Sequence, residues 1–109
     1  MPKYTIHVPH FKADNNGIPV TDAHEVVDMF VKQLAAVAGG CTVVTANAVG
    51  YWTSSRHGLV ADHQTIVEVV CSGSLWHYDV LPLVSQLKKD LNQRSLFVLS
   101  ANADFIPIP

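Results

Sequence analysis

A chain of 109 residues, 49% hydrophobic and only 15% charged, is long enough for one domain with a single modest core. About 25% charged residues is usual for a free-standing domain, so part of this surface is expected to be covered by another chain. The net charge is −2 and the seven Lys and Arg are scattered, which excludes the basic stripe of a duplex nucleic-acid binder, and no apolar run reaches the roughly 18 residues of a membrane span.

The N-terminus has no apolar stretch of the kind a secretory signal carries and reads directly as a strand, so a cytoplasmic protein is expected. Residues 3–10 alternate, with Tyr4, Ile6 and Val8 on one side and Thr5 and His7 on the other. Pro9 ends that strand, because it lacks the N–H a ladder needs. Asp14, Asn15, Asn16 and Gly17 then predict a turn. A helix opens at Thr21 or Asp22, where Asp22 and Glu25 have capping-box spacing. Val26, Val27, Phe30, Leu34 and Val37 share one face of it, and Gly39-Gly40 ends it.

Residues 41–52 predict the second strand and residues 65–71 the third, joined by a connection over residues 53–64. Ser72-Gly73-Ser74 breaks the third strand. Asp79 is expected to cap a second helix that aligns Val80, Leu83, Val84, Leu87 and Leu91, with Pro82 harmless in its first turn. Residues 95–100 predict a fourth strand, and the tail FIPIP is too rich in proline for an inner one. Cys41 and Cys71 lie in strand-like apolar contexts without a CxxC, and read as two reduced, buried thiols.

The order β-α-β-β-α-β predicts an α+β chain, a single ferredoxin-like domain over residues 1–109. Its four-stranded antiparallel sheet would carry both helices on one face. The other face should be polar if it meets water. Instead Ile66 and Val70 flank Glu68 on one side of the third strand, and Val67, Val69 and Cys71 fill the other. The fourth strand sets Leu96, Val98 and Ser100 against Phe97 and Leu99. Monomers seldom leave such a patch bare. A homodimer or homotrimer, sheet to sheet or edge to edge, is therefore expected, with FIPIP folded over the open face as the alternative.

Six histidines invite a search for chemistry. His7 and His10 flank the end of the first strand, and no HExxH or zinc-finger spacing occurs, so neither a metal site nor a cofactor is expected. Ser54, Ser55, Ser72 and Ser74 stand near histidines without a GxSxG. Cys71 with His77 is a conceivable thiol–base pair, and Asp62 with His63 a conceivable acid and base. No pattern selects a catalytic residue, so whether the chain is an enzyme stays open.

The ligand-binding candidates are Tyr51, Trp52, Arg56 and His57, around the connection between the second and third strands, together with Trp76 and His77. Tyr51 and Trp52 are strand neighbours, so their rings go to opposite faces. Arg56 and His57 add a planar cation and a titratable donor. Trp76-His77-Tyr78 precedes the second helix, whose first-turn N–H groups attract anions. This composition suits a non-enzymatic, homo-oligomeric module for a small anionic or nucleotide-like ligand, unless Trp52 and Trp76 are core or interface anchors. Two alternatives stand beside it. One is a small isomerase, lyase or monooxygenase-like enzyme moving protons with His57, His63 or Asp62. The other is a protein-binding adaptor that uses the open sheet face.

The run GGCTVVTANAVGYWTSSRHGLVADHQTIVEVV resembles a pattern of GG-x-T, G-x-W, a Gly-containing turn, then an acidic residue and a strand. Small uncharacterised plait proteins of bacteria and phages carry it, and the resemblance extends from about the first helix to the last strand. Asp62 stands where such proteins often have Glu. The resemblance implies the ferredoxin-like fold and carries over no catalytic residue; a phage-type protein that sequesters a host signal would fit it. A weaker likeness is to the trimeric divalent-cation-tolerance proteins and the nitrogen-regulatory signal-binding trimers, in element order, a Cys near the start of strand two and an aromatic hairpin. The nucleotide-binding loop of the second group is absent here. That likeness implies oligomerisation more than a ligand.

Overall fold

The alternation at the start of the chain becomes β1 (Pro2–Pro9), with Tyr4, Ile6 and Val8 buried. The structure, a computed structural model, describes residues 1–102; the FIPIP segment lies outside the described residues. After β1 comes a short ribbon that the sequence pattern did not announce, β2 (Phe11–Ala13) paired antiparallel with β3 (Pro19–Asp22). Its turn is the one expected from residues 14–17. Asp14 Oδ1 accepts from the N–H groups of Asn16 and Ile18, both at 2.9 Å, and Gly17 takes φ 81°, where a side chain would be strained.

α1 (His24–Ala38) buries Val27, Phe30 and Leu34 and ends on Gly39 in the left-handed conformation. Its start corrects the expected capping box. The N-cap is Ala23, with no side-chain cap, and Asp22 stands one residue earlier, where its carboxylate accepts the His24 N–H at 3.0 Å. Val37 is exposed, so the buried stripe is narrower than the apolar one.

β4 (Thr42–Ser54) and β5 (Gly58–Val70) follow. The expected twelve-residue connection between them does not exist: the pairing runs out to Ser54 opposite Gly58, and residues 55–57 make the turn. Each strand has thirteen residues, about 40 Å of chain at roughly 3.3 Å per residue. The molecule is accordingly elongated, 52 × 21 × 20 Å, with a radius of gyration of 14.7 Å against about 13 Å for a compact domain of this length.

The second helical region also starts earlier than expected. α2 (Gly73–Leu75), a π-helical turn (Trp76–Val80) and α3 (Leu81–Asp90) run on without a break. Ser72 is the cap, its hydroxyl accepting the Leu75 N–H at 3.1 Å, so the Ser-Gly-Ser break is a helix start and Asp79 is no cap. Pro82 explains the π turn. It has no N–H for the carbonyl four residues back, and the widened turn, closed by Leu81 N–H to Trp76 C=O, carries the helix past that gap.

β6 (Phe97–Asn102) closes the sheet in the order β4-β5-β1-β6, all antiparallel. This is the ferredoxin-like plait that the element order predicts, with the β2–β3 ribbon added. Val27, Phe30 and Leu34 of α1 and Val80, Val84, Leu87 and Leu91 of the second helical region pack on Tyr4, Ile6, Val8, Val67, Val69 and Cys71. Fully burying one such Leu or Val contributes roughly 1.5–3 kcal/mol. Cys71 is buried as expected, whereas Cys41 is half-buried; both thiols are free, and desolvation pushes both up from their ordinary range.

The other sheet face carries Thr5, His7, Ile66, Glu68, Phe97 and Leu99, placed together by register. Val70, Phe97 and Leu99 are exposed there, and Lys3 and Glu68 form an ion pair at 3.6 Å. Every residue of β4 is exposed or half-buried, with Val43, Val44, Val49 and Tyr51 among the exposed apolar ones.

Candidate ligand cleft on the open sheet face

A cleft of about 470 Å³ opens on the face of the sheet away from the helices. Its floor comes from β1, β4 and β5, through His7, Trp52, Asp62 and Gln64. One wall is the β2–β3 turn, with Asn16 and Gly17, and the other is the link from α3 to β6, with Asn92 and Arg94, together with Phe97 at the start of β6. Strand parity puts the floor together: Trp52 pairs with Val60, and residues 60, 62, 64 and 66 of β5 point the same way.

The walls are tied to each other. Ala13 N–H donates to Leu91 C=O at 3.0 Å, and Asn92 Nδ2 donates to Ala13 C=O at 3.0 Å. Asn92 holds φ 51°, a left-handed conformation that Asn tolerates. Arg94 Nη2 donates to Asn15 C=O at 3.4 Å. At the ribbon tip Gly17 meets the indole of Trp52: a Cβ there would lie 3.7 Å from Cη2.

Across the floor runs a polar chain. His7 Nδ1 lies 3.1 Å from Gln64 Oε1, and Gln64 Nε2 donates to Asp62 Oδ2 at 3.5 Å. Phe97 meets the His7 imidazole edge-on, centroids 5.0 Å apart and planes at 81°. Desolvation raises the Asp62 carboxyl above its ordinary value, opposed by the Gln64 hydrogen bond and by His10 and His63. The cleft therefore offers an aromatic plane, a carboxylate made more basic, an amide, an imidazole and one guanidinium.

Of the six ligand-binding candidates from the sequence, Trp52 alone lines this cleft. Tyr51 pairs with Ala61 on the opposite side of the hairpin and is largely exposed. Arg56 and His57 occupy the hairpin turn beyond Trp52, their N–H groups both donating to Ser54 Oγ at 3.2 Å. Trp76 stacks on Tyr4, centroids 4.0 Å apart and planes 5° apart, on the helix side of the sheet. His77 and Tyr78 face each other on the exposed side of the π turn, 4.8 Å apart. Trp76 and His77 lie apart from Trp52, on the helix side of the sheet, and inside a helical run rather than ahead of it.

The alternative pairings are also separated. Asp62 and His63 are successive strand residues and point to opposite faces; His63 lies beside Phe11 at 6.4 Å. Cys71 is in the core while His77 is exposed. His7 and Gln64, unsuspected as partners in the sequence, are brought together by the pairing of β1 with β5. Among the described residues, no group of three or more His, Cys, Asp or Glu is arranged to hold a metal ion. No helix among them is long and apolar enough to cross a membrane.

Two further hollows lack this convergence. The groove between α1 and α3, about 400 Å³, has a floor of Val26, Phe30, Leu83 and Leu87 and carries Glu25 and Asp90 as its charged groups. A third, of about 380 Å³, holds His10, Asp22, His24 and Asp28 beside Thr65, whose Oγ1 is 2.7 Å from His10 Nε2.

Neither a protein-family model nor a curated relative matches the sequence. Among solved structures, the chain is similar to a phage SAM lyase in complex with S-methyl-5'-thioadenosine. The TM-score is 0.59 at 18% identity, over 92% of this chain and 79% of that one. At this identity the likeness shows the shared fold. It agrees with the plait read from the sequence.

Proposed function

We propose that this protein binds a nucleoside-like small molecule in the open-face cleft, S-methyl-5'-thioadenosine and its cationic parent SAM being the type ligands. The observation that carries the reading is the presence of the Trp52 indole and the Asp62 carboxylate on one cleft floor. A base stacked on an indole gains about 1–3 kcal/mol, and a carboxylate accepts hydrogen bonds from a ribose diol or draws in a sulfonium. One carboxylate and one guanidinium line the cleft. That balance favours a nucleoside over the simple anion expected at a helix N-terminus. The solved phage SAM lyase of the same fold, with its bound thionucleoside, supports the choice of ligand class.

Self-association into a homodimer or homotrimer belongs to the same proposal. It is supported by the thirteen-residue edge strand β4, which has no buried residue in its own chain, and by the exposed Val70, Phe97 and Leu99. Light scattering should give a multiple of the 11.9 kDa chain mass; a monomer at all concentrations contradicts it. Calorimetric titration with S-methyl-5'-thioadenosine tests the ligand: binding in the wild type that Trp52→Ala weakens supports it, and no heat at millimolar ligand ends it.

A second reading, catalysis, is favoured by Asp62, since a carboxyl raised by desolvation is the better proton acceptor. The chain would then turn SAM over rather than hold it. Release of S-methyl-5'-thioadenosine from SAM by the wild type, against binding of SAM that leaves it intact, decides between cleaving and holding.

A further inference from the structure

The polar chain on the cleft floor has a direction, and that direction fixes a proton. An ionised carboxylate only accepts hydrogen bonds, so the Gln64 amide must turn its nitrogen to Asp62 and its oxygen to His7. An oxygen facing His7 Nδ1 at 3.1 Å requires a proton on that nitrogen. The neutral ring carries one N–H, so Nε2 is left bare, and it makes no hydrogen bond among the described residues. The T-shaped contact with Phe97 sets the plane of the ring.

We propose that Gln64 is a positioning residue that holds His7 as its Nδ1–H tautomer, leaving Nε2 to accept a hydrogen bond from an N–H or O–H group of the ligand. The ligand half of this inference rests on the reading of the cleft given above; the tautomer half does not. Gly50 is the second part of the device. Its backbone runs beside the Gln64 amide so closely that a Cβ would stand 3.0 Å from Nε2, 3.5 Å from Cδ and 3.6 Å from Oε1. A Cβ at that position makes the Gln64 amide, which is held between Asp62 and His7, give way by a few tenths of an ångström. The sequence GYW thus begins with a glycine for a reason of space.

Nitrogen spectra of the protein labelled in its histidine rings, recorded at a pH where imidazole is neutral, read the tautomer directly. Wild type should give the Nδ1-protonated pattern for His7. Both Gln64→Leu and Gly50→Ala should move it toward the Nε2-protonated form that an unconstrained imidazole prefers, with an unchanged circular dichroism spectrum. An Nε2-protonated pattern in wild type, or an Nδ1-protonated pattern that survives both substitutions, overturns the assignment. With S-methyl-5'-thioadenosine added, the Nε2 resonance should shift, and Gln64→Leu should bind about fivefold more weakly, the worth of one neutral hydrogen bond. Calorimetric binding with an unmoved Nε2 overturns the acceptor role. No binding at all, with the Nδ1–H pattern present, defeats the cleft's proposed ligand and upholds the tautomer.

Discussion

Trp52 and Trp76 put the same ring to opposite uses. Trp76 lies flat on Tyr4, between the π turn and the helix-covered face of the sheet, packed against the main core. Trp52 lies on the uncovered face, touched at its edge by a glycine turn, with a cleft beside it. The two pairing positions, Val69 opposite Tyr4 and Val60 opposite Trp52, are nine residues apart along β5, about 30 Å of strand. Indole content therefore says nothing of role; what decides it is whether a helix or a loop lies over the ring. Mutation should separate the two.

The largest effect should come from Trp76→Ala, which removes the Tyr4 stack and opens a hole beside the core. A loss of about 3 kcal/mol in chemical denaturation is expected, with ligand binding by the folded fraction unchanged. Trp52→Ala should do the reverse. Calorimetry should show binding of S-methyl-5'-thioadenosine weakened about tenfold or more, while stability moves by less than about 1 kcal/mol. Equal stability losses in the two variants would erase the distinction.

Gly17→Ala sharpens the comparison from the loop side. Its φ of 81° is strained for alanine, so a stability loss of about 1 kcal/mol is expected. The Trp52 fluorescence should shift as the ribbon tip retreats, and a Trp76-only variant carrying Trp52→Phe should show no such shift.

The smallest effect concerns Asp62, whose carboxyl is raised by desolvation. The folded state holds that proton more tightly than the unfolded chain does. The carboxylate therefore costs stability once pH rises through the unfolded value near 3.9, and costs it fully above the folded value. Asp62→Asn should be more stable than wild type at neutral pH, with the gain fading below about pH 4. Denaturation curves at the two pH values check the sign.

The plait was legible because its main elements have strong periods: Tyr4, Ile6 and Val8 alternate, and Val27, Phe30 and Leu34 recur on one helix face. The β2–β3 ribbon was not legible, since strands of three and four residues are too short to show a period. The hairpin was underestimated because residues 53–64 meet solvent on both sides in the single chain, so no apolar alternation marks them. Pro82 misled in a different way: a proline at the start of an apolar stripe looks like a first turn, whereas here a π turn carries the helix past it.

Of the site, Trp52 could be singled out by its ring and its place beside a Gly-containing turn. His7, Gln64 and Arg94 could not, because nothing local marks them. They meet through the pairing of β1 with β5 and through the bonds that hold Asn92 and Arg94 to the ribbon. Arg56 and His57, adjacent to Trp52 in sequence, fall beyond it in the turn.

Amide and indole shift mapping during titration with S-methyl-5'-thioadenosine tests the central claim most directly: the hollow beneath the glycine ribbon, away from the helices, is where a nucleoside lodges. The account predicts saturable shifts at the Trp52 indole, Gly17, His7 and residues 92–97. Saturable shifts confined to Trp76, His77 and their helix, or none at any ligand concentration, would contradict it.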